Sequence, residues 1–107
     1  MISGPTGGSP EDQLISLNVA VAMAARARVA QPKDIRGWGF GRAALDAVLG
    51  QAGCTGLRIY RGLTLEGDEQ MIIVGIDGAG NDMVTGLIAE RGWPCPPVCG
   101  IVSVLNS

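Results

Sequence analysis

The chain has 107 residues, a formal net charge of −2 and no histidine, with 47% of its residues hydrophobic and 17% charged. That is enough chain for one domain with a modest core, too apolar for disorder, and too near neutrality to be drawn to nucleic acid or an anionic membrane surface. The missing histidine also excludes Ser-His and Cys-His nucleophile pairs and the mixed Cys/His zinc sites.

Residues 1–9 are rich in Gly, Ser and Pro and read as a flexible N-terminal segment, with residues 10–107 forming a single domain. Ser9-Pro10-Glu11-Asp12 is a helix start: Ser9 caps, Pro10 suits the first turn, and the two acids complement the positive end of the helix dipole. The pattern predicts a helix to about Ala30, stopped by Pro32. Leu14, Ile15, Leu17, Val19, Val21 and Met23 spread over most of its circumference, so it calls for neighbours on more than one side. In so small a domain the second neighbour is expected to be another subunit, with Leu14, Leu17 and Val21 as contact residues. The charge-free run Gln13 to Ala25 is too short to span a bilayer. Acids precede it and the first positive side chain, Arg26, follows it, which inverts the order of a secretory signal and predicts a cytoplasmic protein.

The next segment ends in Gly37-Trp38-Gly39-Phe40-Gly41-Arg42, which lacks the G-x-G-x-x-G spacing and the preceding apolar strand of a dinucleotide site. It reads as a tight turn holding two aromatic plugs, Trp38 being one candidate contact residue and Trp93, farther on, another. A second helix follows over Ala43 to Leu49, with Leu45, Val48 and Leu49 on its buried face and Gly50 and Gly53 ending it.

The centre of the chain is a hairpin. Leu57, Ile59, Leu63 and Leu65 alternate with Arg58, Tyr60 and Thr64, the pattern of a half-buried strand. Glu66 to Glu69 makes the turn, and Gln70 to Asp77 is apolar enough to be covered on both faces. Arg58 and Tyr60 are candidate interaction residues. Asp77 to Asp82 has the look of a calcium loop, and Gly78 to Asp82 resembles one unit of a calcium-binding repeat, but a lone copy has no neighbour to complete the coordination, and a glycine-rich turn accounts for it. Met83 to Arg91 reads as a short third strand, with a helix capped by Asp82 as the alternative; Ile101 to Ser107 is expected to add an edge strand. The fold class is therefore α+β: two N-terminal helices packed on a small antiparallel hairpin or three-stranded sheet.

Three cysteines cannot pair completely within one chain. Cys95 and Cys99 flank Pro96-Pro97-Val98. In polyproline geometry they stand roughly 12 Å apart, beyond the ~7 Å a disulfide tolerates; a cis bond before either proline would bring them together. They read either as small hydrophobic anchors or as a redox pair, or half of a thiolate metal site with Cys54 as a third ligand. Three sulfur ligands fall short of a closed zinc site, and no cofactor is expected.

Phe40-Gly41-Arg42, Gly53-Cys54-Thr55-Gly56-Leu57-Arg58-Ile59-Tyr60, Val74-Gly75-Ile76-Asp77, Gly80-Asn81-Asp82 and Cys95-Pro96-Pro97-Val98-Cys99 follow one another in this order. From Phe40 to Gly100, about two thirds of the chain, this resembles a group of small uncharacterised bacterial proteins with a G-C-x-G-L-R-x-Y segment and a C-terminal C-P-P-x-C. The resemblance implies a bacterial, non-secreted single domain and supplies no catalytic residues. Two functions follow as expectations. One is a non-catalytic self-assembling or adaptor module of the cytoplasm, partnered by itself or another protein. The alternative is a thiol-based redox or metal-binding protein using Cys95 and Cys99, with help from Cys54.

Overall fold

The computed structural model describes residues 13–31 and 34–106. Seven elements follow in order: α1 (Leu17–Ala30), β1 (Gly37–Gly39), α2 (Arg42–Leu49), β2 (Cys54–Leu63), β3 (Glu69–Asp77), β4 (Ile88–Ala89) and β5 (Trp93–Cys95). The class is α+β, with an antiparallel three-stranded sheet in the order β2-β3-β4 and a separate two-stranded ribbon, β1-β5. The chain divides into two compact units, Phe40–Gly92 and the described residues of Ser9–Gly39 with Trp93–Ser107.

In the first unit the hairpin lies where the alternation puts it. Ile59 faces Ile73, Tyr60 faces Ile72 and Arg58 faces Val74. Its turn closes through Thr64 N–H to Asp68 O (2.9 Å), Gly67 N–H to Thr64 O (2.9 Å) and Asp68 N–H to Thr64 Oγ1 (3.0 Å). Gly67 sits at φ +90°, a conformation that a side chain resists. The strand β3 is the centre of the sheet, and Ile73, Val74 and Ile76 are buried along it. The opposite strand is less covered than its pattern predicts. Ile59 is 58% exposed, Leu63 is exposed as well, and Leu65 lies in the turn in full contact with solvent. The reason is position: β2 is an end strand and β3 has neighbours on both sides.

Helix α2 begins after Gly41 and ends at Gly50, whose N–H returns to Asp46 O (2.8 Å). Val48, 2% exposed, is its core residue; Leu45 is half-buried and Leu49, expected inside, is exposed. Gln51 fastens the helix end to the third strand. Its Nε2 donates to Val48 O (2.8 Å) and its Oε1 accepts from Leu87 N–H (2.8 Å). Gly75 makes room for this clip, since a Cβ there would stand 3.0 Å from Cys54 Sγ and 3.2 Å from Gln51 Nε2. The third strand is only Ile88–Ala89, paired with Val74 and Ile73; the residues after Asp82 form a turn instead of a helix. The unit's two chain ends meet, because Gly92 leaves space that the Phe40 ring fills.

In the second unit α1 starts later than its pattern suggests. Ser16 is its cap, accepting from Val19 N–H through Oγ (3.2 Å), so Leu14 and Ile15 precede the helix. The expected cap, Ser9, and the stop at Pro32 lie outside the described residues, as does the flexible segment of residues 1–9. The ribbon pairs Gly37 with Cys95, Trp38 with Pro94 and Gly39 with Trp93. The predicted edge strand after Ile101 does not form. Asn106 Oδ1 accepts from Ser103 N–H (2.8 Å) and Ser103 Oγ from Leu105 N–H (3.2 Å), which curls the segment into a turn.

Candidate functional site

Three arrangements hold the sequence's candidate residues. The first lies on one face of the hairpin. Residues opposite each other in an antiparallel pair share a face, so Gly56, Arg58, Tyr60 and Gly62 stand with Gln70, Ile72, Val74 and Ile76. Gly56 and Gly62 have no side chain, and Ile76 and Ile72 lean into the space. An isolated bridge then brings Asp82 beside Ile76 on the far side of β3. Arg58 and Tyr60 therefore reach across the central strand to one carboxylate. Arg58 Nη1 donates to Asp82 Oδ1 (2.5 Å) and more weakly to Gly80 O (3.4 Å), and Tyr60 Oη donates to Asp82 Oδ2.

The turn that delivers Asp82 is built by Asp77, whose Oδ1 accepts from Ala79 N–H and Asn81 N–H, each at 2.9 Å. Gly80 supplies the left-handed residue at φ +87°. Asp77 thus acts within its own turn, as the simpler reading of that stretch expects. The electrostatics of the cluster are those of a latch. The Tyr60 hydrogen bond, reinforced by Arg58 against a smaller opposing effect of burial, holds the Asp82 carboxyl below its ordinary value. The Asp82 hydrogen bond and then burial push the Tyr60 phenol up, and the same carboxylate raises Arg58. Every shift moves away from neutrality, whereas a general acid or base works best with a value near the operating pH.

The second arrangement is the C-P-P-x-C loop. Cys95 and Cys99 form a disulfide with Cα atoms 4.8 Å apart, across cis bonds before Pro96 and Pro97. The bond joins the two cysteines that the sequence offers either as separate hydrophobic anchors or as a redox or metal-binding pair. Among the described residues no group of three His, Cys, Asp or Glu side chains is placed to hold a metal ion. Cys54 is a free thiol in the other unit, its Sγ donating to Gly56 O (3.2 Å).

The third is α1. A half-buried stripe runs along Ala20, Val21, Ala24, Ala25 and Arg28, while the opposite side carries Val19 (47% exposed) and Met23 (53%). Of the residues singled out in the sequence, Val21 lies on the covered stripe, Leu17 is exposed at the first turn and Leu14 is exposed ahead of the cap. Trp38 and Trp93 occupy adjacent strands, but the register puts them on opposite faces of the ribbon. The structure brings Arg58 and Tyr60 together through Asp82, and Cys95 together with Cys99. The sequence offers Asp82 as a helix cap or a turn residue and not as the partner of Arg58 and Tyr60, and it does not single out Gln51; the only signal for its role is a glutamine at a helix end.

Comparison with protein-family models, with curated proteins and with solved structures finds no match for this chain.

Proposed function

We propose that the chain is a non-catalytic interaction module that associates with a second copy of itself through α1. The observation that carries this reading is that none of the 14 residues of α1 is fully buried, and that Val19 and Met23 face solvent from a helix otherwise rich in alanine. Small side chains let two helices approach closely and pack ridge into groove. A net charge of −2 offers little repulsion, and a symmetric dimer is the commonest outcome of such a contact. The bacterial cytoplasm is the compartment that the resemblance implies.

Light scattering from micromolar to millimolar concentration tests the proposal. A dimer mass that falls to the monomer in a Val19→Lys, Met23→Lys variant is the expected result. A monomer mass at every concentration overturns it. The disulfide favours a second reading, a thiol-based redox protein acting through Cys95 and Cys99. A free-thiol count before and after equilibration with a thiol–disulfide pair of a partner protein separates it from the first.

A further inference from the structure

We propose that the Cys95–Cys99 disulfide is a reducible modification site, its co-substrate a dithiol, and that opening it frees the C-terminal segment, residues 100–106. This does not depend on whether α1 self-associates.

The inference starts from a closed circuit of four residues. Arg36 N–H donates to Cys95 O (2.6 Å), and the same residue's Nη1 donates to Asn106 O (2.7 Å). Asn106 Nδ2 donates to Cys99 O (3.3 Å), and the disulfide returns from Cys99 to Cys95. Three of the four links are hydrogen bonds and one is covalent. A further bond, Arg28 Nη1 to Leu105 O (3.1 Å), ties the same segment to α1. Apolar burial contributes little to holding it, because Ile101, Val102, Val104 and Leu105 are all exposed. Its place thus rests on polar links, and exposed hydrogen bonds hold a segment only when their partners are fixed.

The disulfide fixes them. It sets the Cys99 carbonyl, which Asn106 uses, relative to the Cys95 carbonyl, which Arg36 uses. With the bond open, the loop keeps only its backbone hydrogen bonds, Val98 N–H to Pro94 O (2.8 Å) and Cys99 N–H to Pro97 O (3.2 Å), so residues 96–98 can act as a hinge and the circuit loses its one covalent link. The loop is reachable: Pro96, Pro97 and Val98 are exposed and both half-cystines are only partly buried. In the reaction a thiolate of the dithiol attacks one sulfur, forming a mixed disulfide as the Cys95–Cys99 bond breaks and its second sulfur leaves as thiolate. The dithiol's other thiol then displaces the first cysteine. Two electrons and two protons pass to the protein, which ends with two thiols while the reductant ends as a cyclic disulfide.

The experiment uses ¹⁵N relaxation on the full chain, oxidised and then treated with dithiothreitol. Order parameters at Ser103 and Leu105 are expected to fall from about 0.85 to below about 0.6 on reduction, while Ile73 and Val74 stay rigid. A Cys95→Ser, Cys99→Ser variant should be mobile at Ser103 and Leu105 with or without dithiothreitol. Asn106→Ala should be mobile there while oxidised and free of new thiols. Any of four results overturns the proposal: a disulfide that dithiothreitol opens only in denaturant, unchanged order after full reduction, loss of order at Ile73 and Val74 together with the segment, or an Asn106→Ala protein that keeps its order.

Discussion

Tyr60 and Asp82, 22 residues apart, meet by a hydrogen bond from the phenol to the carboxylate across the central strand. That bond joins the first strand of the hairpin to the turn after its second, so its loss should loosen the turn before it loosens the sheet. The two pKa shifts give the pH dependence. The Asp82 value is lowered from 3.8, so its contribution is complete above that value and disappears as pH falls through the lower folded one. The Tyr60 value is raised from 10.0, so its contribution is complete below that and disappears as pH rises through the higher folded one. Urea melts of wild type and Tyr60→Phe should therefore differ by a constant amount between about pH 5 and 9, and converge only below the folded Asp82 value and above the folded Tyr60 value. Asp82→Asn, which also loses the Arg58 ion pair, should converge with wild type only on the acid side. A difference that changes with pH inside the window contradicts the latch.

Ile73, 3% exposed on the central strand, is poorly able to take a charge. Ile73→Asp places a carboxylate there with no partner and should leave no cooperative folding transition, a loss of about 4 kcal/mol or more. The milder Val48→Ala should cost about 2 kcal/mol and remain folded. A near-wild-type melt for Ile73→Asp would remove β3 from the core.

Gln51 makes two hydrogen bonds with one amide, to Val48 O and from Leu87 N–H. Gln51→Ala should cost about 1–2 kcal/mol and speed amide exchange at Leu87 more than at Val74, since only the former loses its acceptor. Gly75→Val should cost more, because a Cβ there already crowds Cys54 Sγ and Gln51 Nε2. Equal exchange at Leu87 in wild type and Gln51→Ala would mean that the clip holds nothing.

The Cys95–Cys99 crosslink closes a short loop, with a sequence separation of 4. Chain-entropy arithmetic for so short a loop gives about 2 kcal/mol. Cys95→Ala, Cys99→Ala should lower stability by about that amount, measured by denaturant melts, and should melt where wild type melts after reduction. A loss much above 4 kcal/mol would make the bond a staple of the whole fold.

The sequence by itself determined the local parts. The alternation of Leu57 to Thr64, the apolar run to Asp77 and the Glu66-Gly67-Asp68 turn define the hairpin, because strand period and turn chemistry are written in neighbouring residues. The same holds for α2 between Gly41 and Gly50, and for the turn that Asp77 builds. Tertiary structure alone decided which distant residues meet. Nothing local shows that Gly37–Gly39 pairs with Trp93–Cys95, that Asp82 lies within reach of Arg58 and Tyr60, or that Asn106 and Arg36 link the two ends of the disulfide loop. Exposure was decided there too. Ile59 and Ile73 face each other and read alike in sequence, yet one lies on an end strand in solvent and the other on the central strand, buried. Periodicity assigns a side chain to a face, but burial depends on what the rest of the chain lays over that face.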